Sequence, residues 1–198
     1  MRQVLPSVVA TVLLSGLAGG AAFAGEPPHH APDPARLVKA EKAAMAPLAR
    51  MHGIWRGQAH IDMGGQSHTI TQTERVGPLL DGAVLVMEGR GYNPDGQVGF
   101  QALGVVSYDP ATKAYHMQSY AQGREGNFPL TLADDGFAWE IKAGPATIHY
   151  TATVSGDRWH EVGVRKLPDG TSVRFFEMTL KRVGDTDWPA AGAVPATP

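Results

Sequence analysis

Between residues 33 and 52, apolar side chains recur every three or four positions. Leu37, Val38, Met45, Leu48 and Met51 form one stripe, the spacing of a helix face that rests on a core. Asp33 and Pro34 mark its start. The aspartate can cap free backbone N–H groups, and proline in the first turn has no N–H to leave unsatisfied. At Gly53 the helix is expected to stop. Beyond it the period falls from about 3.6 to two. Trp55, Gly57, Ala59, Ile61 and Met63 share one face, and Arg56, Gln58, His60 and Asp62 share the other. Ala146, Ile148, Tyr150, Ala152 and Val154 alternate with Thr147, His149, Thr151 and Thr153, and Phe128, Leu130 and Leu132 repeat the pattern. Alternation with one polar face predicts antiparallel strands.

Turn chemistry divides the span 54–183 at nine places: Gly64-Gly65, Gly77-Pro78 with Asp81-Gly82, Asn93-Pro94-Asp95-Gly96, Asp109-Pro110, residues 123–126, Asp134-Asp135-Gly136, Gly144-Pro145, Ser155-Gly156-Asp157 and Pro168-Asp169-Gly170. Glycine supplies positive φ, proline fixes φ, and Asp or Asn bonds its own backbone. Nine breaks predict ten strands, and such short connections make consecutive strands neighbours. Ten sequential antiparallel strands have two raw edges unless the sheet closes. The expected fold is therefore all-β: a roughly ten-stranded antiparallel meander barrel preceded by one N-terminal helix. A two-sheet sandwich is the alternative.

Composition narrows the setting. A chain of 198 residues with 43% hydrophobic content suits one domain with its own core. The net charge of −2 presents no basic surplus to nucleic acid. With no cysteine there is no disulfide, thiol nucleophile or thiolate metal site. Met1-Arg2-Gln3, an interrupted apolar run over 4–17, and Ala22-Phe23-Ala24 together predict a signal peptide over 1–24, cleaved after Ala24. That run is too broken for a spanning helix, which needs about 20 apolar residues. A periplasmic or secreted location follows, with no transmembrane segment left after cleavage. Residues 25–32 (GEPPHHAP) read as a linker and 33–183 as the domain. Residues 184–198 (GDTDWPAAGAVPATP) read as a disordered tail, with Trp188 resting on the barrel.

Gly53-Ile54-Trp55 after a short helix resembles the Gly-x-Trp signature of lipocalins and their calycin relatives. Four segments in order resemble a group of uncharacterised, often exported bacterial lipocalin-like domains: GIWRGQA, ERVGPLLDGAVLVMEGRG, LGVVSYDPATKAYH and FEMTLKR, within roughly 48–183. The resemblance implies a barrel whose tryptophan, Trp55, plugs one end beneath a basic residue of the last strand, here Lys181 or Arg182. It implies no reaction. GIWRG also resembles the haem-binding nitrobindins, in which a late histidine ligates iron. His149 and His160 lie in that region, but their surroundings do not match, so haem is disfavoured and no cofactor is expected.

Candidate site residues follow from face-sharing. His116, Gln118 and Tyr120 alternate with Tyr115, Met117, Ser119 and Ala121, and the pattern leaves open which set faces inward. Glu74 follows the polar run SHTITQT; Glu88 and Arg90 share a face in LVMEGRG. An inward charge needs a partner, so an internal ion pair of Glu74 or Glu88 with Arg90 or Arg174 is weighed against ordinary surface charge. Trp139, Tyr150 and Trp159, with Phe137 and Phe175, are expected to line the interior, and Trp159 shares its face with Glu161 and Arg165. His29 and His30 fit a solvated linker, and His52 suits a helix end. His60 and His68 fall on paired strands, but no third ligand is spaced with them, so no metal is expected. The chain lacks a phosphate loop, His-Glu-x-x-His and Gly-x-Ser-x-Gly. The expectation is an exported carrier of a small apolar or amphipathic molecule. Two alternatives stand beside it. One is a lyase, isomerase or hydrolase using an inward Glu or His with Tyr and Arg. The other is a structural envelope protein without a ligand.

Overall fold

Asp33 accepts a hydrogen bond from the Ala35 N–H at 3.1 Å and opens helix α1, Pro34–Met45, in the computed structural model, which describes residues 33–188. The signal peptide, the linker and residues 189–198 of the tail lie outside the described residues. A 3₁₀ segment, Ala46–Met51, continues the helix. Ten strands follow: β1 Gly53–Met63, β2 Gln66–Leu79, β3 Val84–Tyr92, β4 Val98–Asp109, β5 Ala114–Ala121, β6 Arg124–Ala133, β7 Gly136–Ala143, β8 Ala146–Ser155, β9 Arg158–Lys166 and β10 Ser172–Gly184. Each pairs antiparallel with its sequence neighbours, and β1 also pairs with β10, so the sheet is a closed meander barrel rather than a sandwich. Closure leaves no strand edge to template pairing with another chain.

One end of the barrel is stoppered. Trp55 is fully buried, and its indole Nε1–H donates to the Met51 carbonyl at 2.8 Å. Trp159 meets it edge-on, with centroids 5.8 Å apart. Met45, Leu48 and Met51 from α1 and the 3₁₀ segment join the same core, with Leu85, Val106 and Leu180. Side chains bind the N-terminal segment to the turns at this end: Lys42 pairs with Asp81, Arg50 donates to the Asp134 carbonyl, and Tyr115 Oη–H donates to the Ala44 carbonyl at 2.7 Å.

The glycine of Gly-x-Trp has its own physical reason. Gly53 sits at φ +145°, which side chains rarely adopt. A methyl there would come within 2.7 Å of Arg182 Nε. Arg182 is the register partner of Trp55. Its Nε–H donates to the His52 carbonyl at 3.2 Å, and Nη2 meets Asp185 at 2.7 Å. Among the described residues, the cation–π contacts are Arg75 with Trp188 and Arg165 with Phe175. Arg182 thus supports the plug by tying β10 to the helix exit rather than by lying over the indole. Lys181 points outward, 3.8 Å from Asp157. Gly53→Ala should cost about 1–3 kcal/mol through backbone strain, measurable as a shift in the urea midpoint at unchanged m-value.

The first tail residues return to the barrel. Asp187 pairs with Arg75 at 2.9 and 3.1 Å. Trp188 lies beside Gly77, with the Arg75 guanidinium 5.9 Å from its ring centroid.

Candidate functional site

Directly paired residues of an antiparallel ladder share a face, so one inward side chain sets the parity of the whole ring. The row Tyr108, Tyr115, Leu130, Trp139, Tyr150, Gly163, Phe176, Ile61 runs through consecutive pairs of strands and faces inward. Of the two faces of β5, Tyr115 and Met117 are therefore inside, while His116 and Tyr120 are outside. Tyr120 is 46% exposed. It continues laterally into Leu103, Glu88 and Arg75, all on the outer wall. Glu88 and Arg90 pair with each other there, on the outside. These four residues, candidates for ligand contact from the sequence, thus stand away from the interior, where water solvates their charges at little cost. Trp139, Tyr150, Trp159 and Glu74 are on the inner wall.

The interior away from the plug is lined by aromatic rings that remain partly exposed. Trp139 stacks on Tyr150 with centroids 4.3 Å apart and planes 9° from parallel. Phe128 tilts against Trp139 at 5.6 Å. Phe175 and Phe176 both meet Tyr150 edge-on, at 6.1 and 5.9 Å. Two consecutive phenylalanines reach one ring because the β9–β10 register shifts between Arg174 and Phe176. The Arg165 guanidinium lies 5.3 Å from the Phe175 centroid.

Two carboxyl groups share this inner wall: Glu161, bonded to Trp139 and Trp159, and Glu74, the register partner of Trp55. Glu161 is 7% exposed; its Oε1 accepts from Trp139 Nε1–H at 3.2 Å and its Oε2 from Trp159 Nε1–H at 3.3 Å. Glu74 accepts from Gln72 Nε2–H at 2.7 Å and lies over Gly89, where a methyl would come within 2.7 Å of its carboxylate. Gln72 is 4% exposed. No salt bridge reaches either carboxyl among the described residues. Burial therefore dominates their chemistry. It pushes the Glu74 pKa up to about 8, against the Gln72 hydrogen bond and with added repulsion from Glu161 and Glu88. Burial also raises Glu161, opposed by its two indole donors. Tyr150 is pushed up to about 12 by burial and the nearby Glu161.

Glu161 and Gln72 were not singled out by sequence reasoning. A glutamate in a strand is normally solvated, and the available signal was its position two residues after Trp159 and two before Gly163, on a face whose other charge is Arg165. His60 and His68 lie on opposite faces, since His60 pairs with Thr69 and Ile61 with His68. His60 Nδ1 is 2.9 Å from Thr69 Oγ1. Among the described residues, no group of three His, Asp or Glu side chains is arranged to hold a metal.

A family described as a protein of unknown function, DUF1579, matches residues 41–122, from within α1 to just past β5. The crystal structure of Rv2717c from M. tuberculosis is similar in fold, with a TM-score of 0.55 at 11% identity, over 71% of this chain and 97% of that one. No match was found among curated proteins.

Proposed function

We propose that this protein is an exported, lipocalin-like carrier of a small amphipathic molecule, with 33–183 as the binding domain behind the 1–24 signal peptide and the 25–32 linker. The observation that carries this reading is the inner wall opposite the plug. Aromatic rings there stay partly exposed, and hydrogen-bonding groups are buried beside them. An apolar lining with a few convergent polar groups is the usual make-up of a small-molecule site. A solid core would have little use for an acid at Glu161, because burying it disfavours its charged form.

Native mass spectrometry of protein purified from the envelope of its own host tests the reading. The expected species is a chain beginning at Gly25 that carries a small molecule, which is shed as collision energy rises. A bare mature mass in every preparation overturns the carrier reading, and a chain retaining Met1 in the cytoplasm overturns export.

Glu74 favours a second reading, an acid–base enzyme. A carboxyl that keeps its proton near neutrality is suited to donating it to a substrate. On this reading Glu74→Gln abolishes turnover while the retained molecule still binds. Loss of both together would return Glu74 to a binding role.

A further inference from the structure

The polar atoms inside the barrel are unevenly satisfied. Each Glu161 oxygen has one donor and no cation. One Glu74 oxygen takes the Gln72 amide. The Gln72 Oε1 and the second Glu74 oxygen accept no hydrogen bond from the described residues, and because no buried side-chain N or O atom there lacks a partner, neither oxygen is sealed from solvent. With both acids ionised, the unspent capacity around these two carboxyls is acceptor: carboxylate oxygens and an amide carbonyl on one inner wall. What satisfies such a set is a group with several N–H donors and a positive charge. The rings of Phe128, Trp139, Tyr150 and Phe176 provide the apolar surface beside it.

We infer that the barrel takes a small organic amine, with its ammonium group against the Glu161 and Glu74 carboxyls and its apolar body along the Trp139–Tyr150–Phe176 wall. This rests on the carrier reading and adds the charge of the cargo. The cation neutralises two acids that the protein leaves without a counter-ion, and its three donors match the free acceptors. A hydrocarbon would leave those acceptors unbonded. An anion would meet two carboxyls of its own sign, and its one favourable contact on this wall would be Arg165, beside Phe175.

Calorimetric titration of the ligand-stripped full chain compares three probes of one shape: 2-phenylethylamine, 2-phenylethanol and 3-phenylpropionate. The amine is expected to bind at least tenfold more tightly than either of the others. Glu161→Gln should remove that preference and leave the alcohol unchanged. A cooperative thermal transition establishes that the variant folds, and Glu74→Gln takes its place if it does not. Equal binding of amine and alcohol overturns the amine assignment while leaving a carrier. Tighter binding of the carboxylate also overturns it and moves recognition to Arg165. No binding by any probe overturns it as well, and the carrier reading is then judged separately by the molecule retained in native mass spectra.

Discussion

Replacing Trp55 with alanine is expected to lower the stability of the barrel by about 3–5 kcal/mol, the range for removing a large buried aromatic. The side chain has no exposed surface, and three separate losses fall on the same substitution. The cavity left behind borders Trp159, whose edge-on contact at 5.8 Å disappears. The Met51 carbonyl loses its indole donor, which costs about 1–3 kcal/mol if no water replaces it. The N-terminal segment also loses the floor on which Leu48 and Met51 pack. Collapse of the site recovers only part of this, because β1 is held on both sides by its neighbours. With typical domain stabilities of 5–15 kcal/mol, the variant should melt far below the parent. Trp55→Phe separates the contributions: it keeps the ring and loses the hydrogen bond, so its urea midpoint should fall between the other two. A cost below 1 kcal/mol for the alanine variant would remove Trp55 from the role of stopper.

The plug and the ring were legible in the sequence for local reasons. The helix carries its own cap at Asp33-Pro34, and each strand carries its alternation. Nearly every turn lies where glycine, proline or aspartate demands one. Gly53 stood in the pattern as a helix stop, and the structure adds the close approach of Arg182, which no local rule contains. What the pattern could not supply was register. On β5 both faces mix polar and apolar residues, so the strand alone does not say whether His116 or Met117 points inward. The answer comes from β6 and β4 through Phe128 and Val106, the partners of Met117, and finally from Trp55 around the ring. The polar run 67–73 finds its explanation in the same way. Ile70 and Gln72 face inward, while Thr69, Thr71 and Thr73 alternate with them on the outside. The interior acids were hidden by a sound prior: a carboxylate in a strand is solvated far more often than buried. Glu161 is the exception because two indole N–H groups meet it, one from its own strand and one from β7, an encounter visible only after folding.

Those two acids should make the empty barrel less stable as pH rises toward 8, opposite to the behaviour expected of carboxylates held in ion pairs. The Glu74 carboxyl ordinarily titrates near 4.5 and is pushed up to about 8 inside the barrel. Between these values the folded chain holds a proton that the unfolded chain has released, so unfolding releases it and each step up in pH favours unfolding. The penalty is absent below about 4.5 and complete above about 8. The full separation corresponds to roughly 5 kcal/mol, an upper figure because part of Glu74 keeps solvent contact. Glu161, raised by burial as well, acts in the same direction.

Other groups bend the profile lower down. Burial lowers the His52 pKa, which stabilises the fold as pH rises toward 6.5. Asp81, Asp109, Glu140, Asp169 and Glu177 are held low by surface partners, so their contributions vanish only in acid. The window from about 6.5 to 8 therefore isolates the interior acids: Glu74 on β2, bonded to the Gln72 amide and repelled by Glu161 from β9 and by Glu88 on the outer face of β3. Urea midpoints across that window should fall for the parent, fall less for Glu74→Gln, and stay level for the doubly substituted Glu74→Gln, Glu161→Gln chain, the most stable of the three near pH 8. A parent that stays level from 6.5 to 8 would mean that both carboxyls are ionised and already paired. A bound ammonium would level the profile in the same way, because it makes the deprotonated acids the favoured state. The same pH series run with and without 2-phenylethylamine thus reads the charge of the interior twice, once from the slope of the empty barrel and once from the sign of its change.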